Sequence, residues 1–361
     1  MRVLVVTVVH DPQDARIRYR EMRSLLEAGH AVTFAAPFTA YGRTAPDGVR
    51  AIDLPRAVGR RRAAALVAAR SVLRRERGRH DIVLLHDPEL LLTLPTLRGL
   101  PPVVWDVHED TAAAISMKQW VPGPLRRAAA WAVLRAEALA ERHVHLVLAE
   151  YGYDQRFARR HPVVPNTVPV PDADPPPPGD DRVVYLGRIT RQRGGLEMVA
   201  LAGSLPDGVR LELVGPADPD VRGAVQAAAD ANLLRWHGFV PNDVALALLQ
   251  GATAGLSLLH DEPNYAHSRF TKLMEYMANG VPVVTTANPA AAEMVREYDA
   301  GLVVPFADAA AVADAVRRLV DDRDLRERLA RNGRTAAVAH LDWRVSSVAF
   351  VAQLERWAST G

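Results

Sequence analysis

Lys272 follows Ser268 and Thr271 and precedes Glu275 in the run Ser268-Arg-Phe-Thr271-Lys272-Leu-Met-Glu275. Helical spacing would set the ammonium and the carboxylate on one side of the first turns, and Ser268 falls where an N-cap or a phosphate-facing loop residue would stand. Backbone amides at a helix start together with one ammonium suit a diphosphate, and a nearby carboxylate can accept two hydrogen bonds from a ribose diol. Taken alone, the run also reads as a capped surface helix with an intrahelical Lys/Glu pair. A second basic element, Gly187-Arg188-Ile-Thr-Arg191-Gln-Arg193-Gly194-Gly195, follows a strand-like stretch. Its glycines would let the backbone come close to a ligand, and its arginines would meet leaving-group charge. A glycine-rich turn with solvated arginines is the alternative, and the presence of Lys272 weakens it.

Histidines and carboxylates recur together in the first half of the chain: His10 with Asp14, Arg16 and Glu21, then His86-Asp87, then Asp106-Val-His108-Glu109. At strand ends such side chains can hydrogen-bond the hydroxyls of a sugar-like ligand. A single histidine at a strand end is more often structural, so the repeated pairing of His86 with Asp87 and of His108 with Glu109 is what singles them out. The Asp-x-Asp pairs, Asp172-Ala-Asp174 and Asp218-Pro-Asp220, lie in proline-stiffened loops, and His143-x-His145 reads as the start of a strand. No catalytic metal and no cofactor are expected.

Composition narrows the setting for this chemistry. The 361 residues exceed what one hydrophobic core usually serves, and 49% hydrophobic with 24% charged residues excludes a disordered or collagen-like chain. Without cysteine there are no disulfides, thiolate nucleophiles or Cys-bound metals. A net charge of +2 from 44 basic and 42 acidic residues points to no nucleic-acid partner, and only two of the basic residues, Lys118 and Lys272, are lysines. No apolar run reaches the roughly 20 residues of a spanning helix, so a cytoplasmic, soluble protein is expected. Nine arginines and one acid lie between Arg56 and Arg79, interleaved with apolar residues at helical spacing. Such a helix could lie on an anionic leaflet at the inner face of a membrane and bring a lipid-linked acceptor close. In so arginine-rich a chain, a solvated face is the favoured alternative.

The elements that must position these residues alternate. Val3–Val9 is a continuous apolar β-branched run, as in a parallel strand buried on both faces, and the turn after it, His10-Asp11-Pro12-Gln13-Asp14, lacks the glycines of a dinucleotide fingerprint. An amphipathic helix follows with Ile17, Met22, Leu25 and Leu26, ending at Gly29, and then strands at Ala31–Ala36, Asp81–Leu85, Val103–Trp105 and Leu146–Leu148. Seven prolines among the seventeen residues 165–181 read as an interdomain linker. The alternation restarts with strands at Val183–Leu186, Arg210–Val214, Gly255–Leu259 and Val281–Thr286, with a helix at Thr271–Asn279. Asp322–His340 reads as a polar surface helix. The expected domains are 1–165, a linker 166–181, 182–340, and a closing helix 341–361 that can return to the first domain. Two doubly wound α/β halves would face a central cleft.

From Val183 to Val284 the chain resembles the donor-binding half of retaining glycosyltransferases of family 4, which have the GT-B fold of two Rossmann-like domains. Gly187-Arg188 and Arg193-Gly194 resemble that family's Gly-Arg…Lys-Gly element, with Arg193 in place of lysine. Gly238-Phe239-Val240 resembles the segment facing the base, and Glu275-Tyr-Met-Ala-Asn-Gly280-Val-Pro-Val matches the helix of the second glutamate of Glu-x7-Glu. The first glutamate is replaced by His267, and the run instead resembles a subgroup with Ser-x-Pro-Thr-Lys-x-x-Glu, Phe270 standing for proline. The resemblance implies a metal-independent transferase moving a sugar from a nucleotide-diphosphate sugar, such as a UDP-sugar, to a hydroxyl-bearing acceptor with retention. It implies Arg188, Arg193, Lys272 and His108 as catalytic residues. Gly187, Val240, Ser268, Thr271 and Glu275 would hold the donor, and His10, Asp14, Arg16, His86, Asp87 and Glu109 would lie on the acceptor side. A nucleotide-sugar 2-epimerase and a non-catalytic nucleotide-sugar-binding protein are the alternatives.

Overall fold

The computed structural model describes residues 1–95, 97–108, 123–266 and 268–360, so Glu109, Lys118 and His267 lie outside the described residues. The chain divides into two compact units, 1–166 with 344–361, and 167–343. In the first, strands β1 (Arg2–Val6), β2 (Ala31–Ala36), β3 (Arg50–Asp53), β4 (Ile82–Leu85), β5 (Val103–Val107) and β6 (His145–Leu148) form a parallel sheet in the order β3-β2-β1-β4-β5-β6. In the second, β7 (Arg182–Leu186), β8 (Arg210–Val214), β9 (Leu234–Gly238), β10 (Ala254–Ser257), β11 (Val283–Thr286) and β12 (Gly301–Val304) repeat that pattern as β12-β11-β10-β7-β8-β9. In each sheet the winding reverses between the first and fourth strands. Open α/β sheets bind ligands beyond the strand carboxyl ends at such a seam.

The central strands are apolar on both faces because helices cover both. Val3 and Val5 pair with Ile82 and Leu84 in the β1/β4 register, and all four are fully buried. Each contributes on the order of 1.5–3 kcal/mol relative to exposure. β1 stops at Val6, short of the expected Val9. Asp87 accepts hydrogen bonds from Thr7 Oγ1 (3.0 Å) and from the Val8 and Val9 amides, which turns the chain out of the sheet.

Three strands that the sequence reading did not expect, β3, β9 and β12, all lie at sheet edges. In β3 and β9 the exposed Arg50 and Arg235 break the apolar run that marks a central strand, whereas β12 is apolar throughout but only four residues long. The expected helix after Asp14 is π-helical over Ala15–Met22 and becomes α-helical only over Arg23–Glu27. Arg323–His340 is no polar surface helix: it buries Arg326, Leu329, Ala330, Ala336 and Ala337, and packs on the helix Thr271–Ala278. The proline-rich stretch is an ordered strap of the second unit rather than a loose linker. Val168 and Val170 enter that unit's core, Arg334 donates to the Pro171 carbonyl (2.7 Å), and the Gly179 amide donates to the Gly251 carbonyl (2.8 Å). Arg344–Gly361 belongs to the first unit, where Glu355 meets His30 Nε2 at 2.9 Å.

No helix among the described residues is long and apolar enough to cross a membrane. Within the basic stretch, Arg70 and Arg77 cap carbonyls of the chain, Arg62 and Arg79 pair with Glu89 and Glu76, and Arg56 lies over the Tyr41 ring. Arg60, Arg61, Arg74 and Arg75 make no ion pair among the described residues.

Candidate functional site

Each unit gathers polar groups at the carboxyl ends of its central strands. In the first unit the centre is Asp106, the fourth residue of β5, with no exposed surface. Arg16 grips it with two bonds, Nε to Oδ2 at 2.8 Å and Nη2 to Oδ1 at 2.7 Å. His108 stands two residues on and so projects from the same face of the strand as Asp106, and its Nδ1 lies 2.9 Å from Asp106 Oδ2. His86, just past β4, reaches the same oxygen at 3.4 Å and Glu21 at 3.5 Å. Beyond β1, His10 places Nε2 at 3.1 Å from His108 Nε2 and 3.2 Å from Asp87 Oδ1.

The π-helix supplies the remaining members. Asp14 caps it, accepting from the Arg16 and Ile17 amides at 2.9 and 3.1 Å. The wider i→i+5 turn brings Arg16, Arg20 and Glu21 to one buried face, with Glu21 Oε1 3.0 Å from Arg16 Nε. Burial works against the Asp106 charge, but the Arg16 guanidinium and hydrogen bonds from His108 and His86 outweigh it and hold Asp106 well below the carboxylate range. Burial and the Asp106 charge push Glu21 well up, against the pull of Arg16. Burial likewise opposes the His108 cation, yet the bond to Asp106 and its charge lift His108 to about 9. Burial keeps His86 below its ordinary value despite Asp106. The result is a fixed, partly exposed imidazolium at His108 beside a fully buried, neutral His86 imidazole. His86, Asp106 and His108 also have ligand atoms within 4.8 Å of one another, a spacing that could hold a cation.

In the second unit, the site begins at Gly187, beyond β7, whose φ of 116° only glycine adopts readily. A Cβ there would sit 3.7 Å from Lys272 Nζ and 3.9 Å from Arg193 Nη1, so the two cations converge on this backbone. Lys272 Nζ lies 3.9 Å from the centroid of the Tyr185 ring and is buried with no hydrogen-bond partner among the described residues. Burial, reinforced by Arg193 and opposed by Glu275, pushes its ammonium well below the usual lysine range. The helix Thr271–Ala278 is locked in place by Tyr276, whose hydroxyl donates to the Leu256 carbonyl (2.9 Å) and accepts from the Leu186 amide (3.0 Å).

The structure thus brings Gly187, Arg193 and Lys272 together, and separately His10, Asp14, Arg16, His86, Asp87 and His108. Other expected residues stand apart from these contacts. Ser268 is not the N-cap: the helix starts at Thr271 behind Phe270, with no side-chain cap. Arg188 is exposed and paired with Asp218. Val240 packs partly buried against the core. Gly194 approaches the chain itself rather than open space, since a Cβ there would lie 2.5 Å from the Leu258 carbonyl oxygen. The sequence reading passed over Thr7, which holds the turn of His10 by accepting its amide at 3.1 Å, and Tyr185. For the central part of Asp106, its place two residues before His108 is the available sequence signal.

Residues 171–336 match the family described as Glycosyl transferases group 1. A phosphatidyl-myo-inositol mannosyltransferase of Mycobacterium leprae is 32% identical over 184 residues, which is 50% of this chain and 47% of that protein, about half its length. The fold is similar to that of sucrose-phosphate synthase from Thermosynechococcus elongatus, with a TM-score of 0.76 and 18% identity over 100% of this chain and 99% of that one. It is also similar to Anabaena HepE in complex with UDP, with a TM-score of 0.71 and 13% identity over 99% of this chain and 100% of that one. The chain therefore has the α/β GT-B fold, and residues 171–336 are similar to the domain of Glycosyl transferases group 1.

Proposed function

We propose that this chain is a glycosyltransferase that moves a sugar from a nucleotide-diphosphate sugar to a hydroxyl-bearing acceptor with retention of configuration. The observation that carries this reading is the buried Lys272 ammonium, without a hydrogen-bond partner among the described residues and set beside Arg193 and the Gly187 backbone. A buried cation without a partner is costly, and a diphosphate arriving there supplies the missing charge and acceptors. The UDP bound by the HepE neighbour supports a uridine donor.

In this reaction the bond from the sugar C1 to the diphosphate oxygen breaks, and the acceptor oxygen bonds C1 on the same face. The acceptor proton passes to the departing phosphate. Lys272 and Arg193 stabilise the charge growing on that phosphate, joined by Arg188 once it exchanges Asp218 for the ligand. Glu275 takes the ribose hydroxyls, Ser268 and Thr271 the phosphates, and the Val240 backbone the base. His10, Asp14, Arg16, His86, Asp87 and His108 are assigned to the acceptor. No resident metal is needed, and the Arg16 guanidinium already occupies both Asp106 oxygens. Arg60, Arg61, Arg74 and Arg75 are the cations we assign to an anionic bilayer. Sedimentation with phosphatidylglycerol vesicles checks this, and absence of binding returns the helix to a solvated face.

The test begins with thermal shifts against a panel of nucleotide sugars, followed by turnover of a labelled donor with acceptors. Lys272→Met should lower kcat by about 10²–10³-fold in a folded protein. Unchanged turnover, or an epimerised nucleotide sugar formed without acceptor, would overturn the proposal. The anomeric coupling of the product by NMR decides retention.

A further inference from the structure

A cavity of about 420 Å³ opens in the first unit at the amino-terminal end of β6, lined by Arg142, Arg159, Arg160, His143, His145 and Trp357. It lies at the opposite end of its strand from the carboxyl-terminal cluster of Asp106 and His108. The one carboxylate in its wall, Glu141, is already occupied: it accepts from the Arg159 amide (2.7 Å) and the Ala158 amide (3.2 Å), and meets His161 Nε2 at 2.9 Å. Arg142 and Arg160 make no ion pair among the described residues. The His145 ring stacks on Trp357 with centroids 4.5 Å apart and planes 16° from parallel, giving the cavity a flat wall.

We propose that this cavity binds a phosphate-bearing anion at a site separate from both clusters described above. Guanidinium groups offer paired donors that match phosphate oxygens; Arg142 and Arg160 pair with no carboxylate among the described residues, and Arg159 reaches only Glu141, at 3.8 Å, which its other donors already share. The volume falls within the roughly 300–1,000 Å³ of small-molecule sites, enough for a phosphate ester with its organic part against the His145–Trp357 wall. The ligand chemistry is shared by a free phosphate ester and by the phosphodiester headgroup of a lipid. Burial and then the Arg159 charge hold His145 below its ordinary value, so an anion that offsets the cations must draw a proton onto this ring. Arg142, Arg159 and Arg160 are the cations that line the cavity with His145, and Glu141 the carboxylate, with His143 and His161 the other titrating groups of the wall.

The experiment follows the His145 resonance by NMR as pH is varied, in the full chain, with inorganic pyrophosphate, with sodium chloride at matched ionic strength, and with vesicles of phosphatidylglycerol or phosphatidylcholine. Pyrophosphate or phosphatidylglycerol should raise the His145 midpoint by about one pH unit, and Arg142→Gln with Arg160→Gln should remove most of that shift. His80, buried with Nε2 2.9 Å from Thr33 Oγ1, reports in the same spectra that the variant is folded. A response to pyrophosphate identifies a free phosphate ester as the ligand class, and a response to phosphatidylglycerol alone identifies a lipid headgroup. No shift with either probe, the same shift with sodium chloride, or the same shift in the variant overturns the proposal.

Discussion

Asp106 decides the charge state of its neighbours, and removing its charge separates their dependence on it. Asp106→Asn should drop His108 from about 9 toward 6.5, and should also lower Glu21, because the repelling carboxylate disappears while Arg16 remains. NMR titration of both groups checks the two shifts, which share a sign though one group is a base and the other an acid. The pH dependence of stability follows from the same group. His108 is raised in the folded protein, so its contribution is fully present below the unfolded value of 6.5 and is lost as pH rises through about 9. The loss should reach roughly 3 kcal/mol, and chemical denaturation across that window measures it. Lys272 offers the reverse case: Lys272→Met removes a buried charge, so stability should stay level or rise by about 1 kcal/mol while turnover collapses. A folded variant that loses stability would show that the ammonium has a partner in the free protein.

At the scale of elements, the helix Thr271–Ala278 matters because Tyr276 ties it to two strands at once. Tyr276→Phe strands the Leu186 amide and the Leu256 carbonyl, which should cost about 2 kcal/mol and weaken donor binding beyond that, as read by denaturation and by thermal shift with nucleotide. The central strands β1, β4 and β7 were legible in the sequence because each carries an apolar run, and this helix because Leu273, Met274, Tyr276 and Met277 recur at helical spacing. The edge strands β3 and β9 were not, since Arg50, Arg235 and His237 face solvent or polar partners and break the period, and the four apolar residues of β12 make too short a run to mark a strand. The π-helix was equally hidden. Its buried side is occupied by Arg16, Arg20 and Glu21, charged residues that a hydrophobic count places outside, and only their partners in distant segments bring them in. The clustering of His10, His86 and His108 could be anticipated from strand ends, but the central part of Asp106 required knowing that Arg16 reaches β5.

For the molecule as a whole, the boundary between units follows burial rather than composition. Proline content put the start of the second domain at 182, yet Val168 and Val170 are core residues of that unit and Arg326 reaches the Pro178 carbonyl. A fragment of residues 167–343 should unfold cooperatively on its own, whereas 182–340 should be less stable by about 3–6 kcal/mol for the two exposed valines' sites alone. Circular dichroism melts of the two fragments decide this, and equal stability would return the strap to the status of a tether.

The return of Arg344–Gly361 to the first unit has a consequence for biosynthesis. During vectorial synthesis the residues of the second unit are all translated before the segment that completes the first, so the inserted unit can acquire its native state earlier than the one that opens the chain. Until Trp357 reaches His145 and Glu355 reaches His30, the nascent first unit waits with that flank uncovered, a window in which chaperone capture would be strongest.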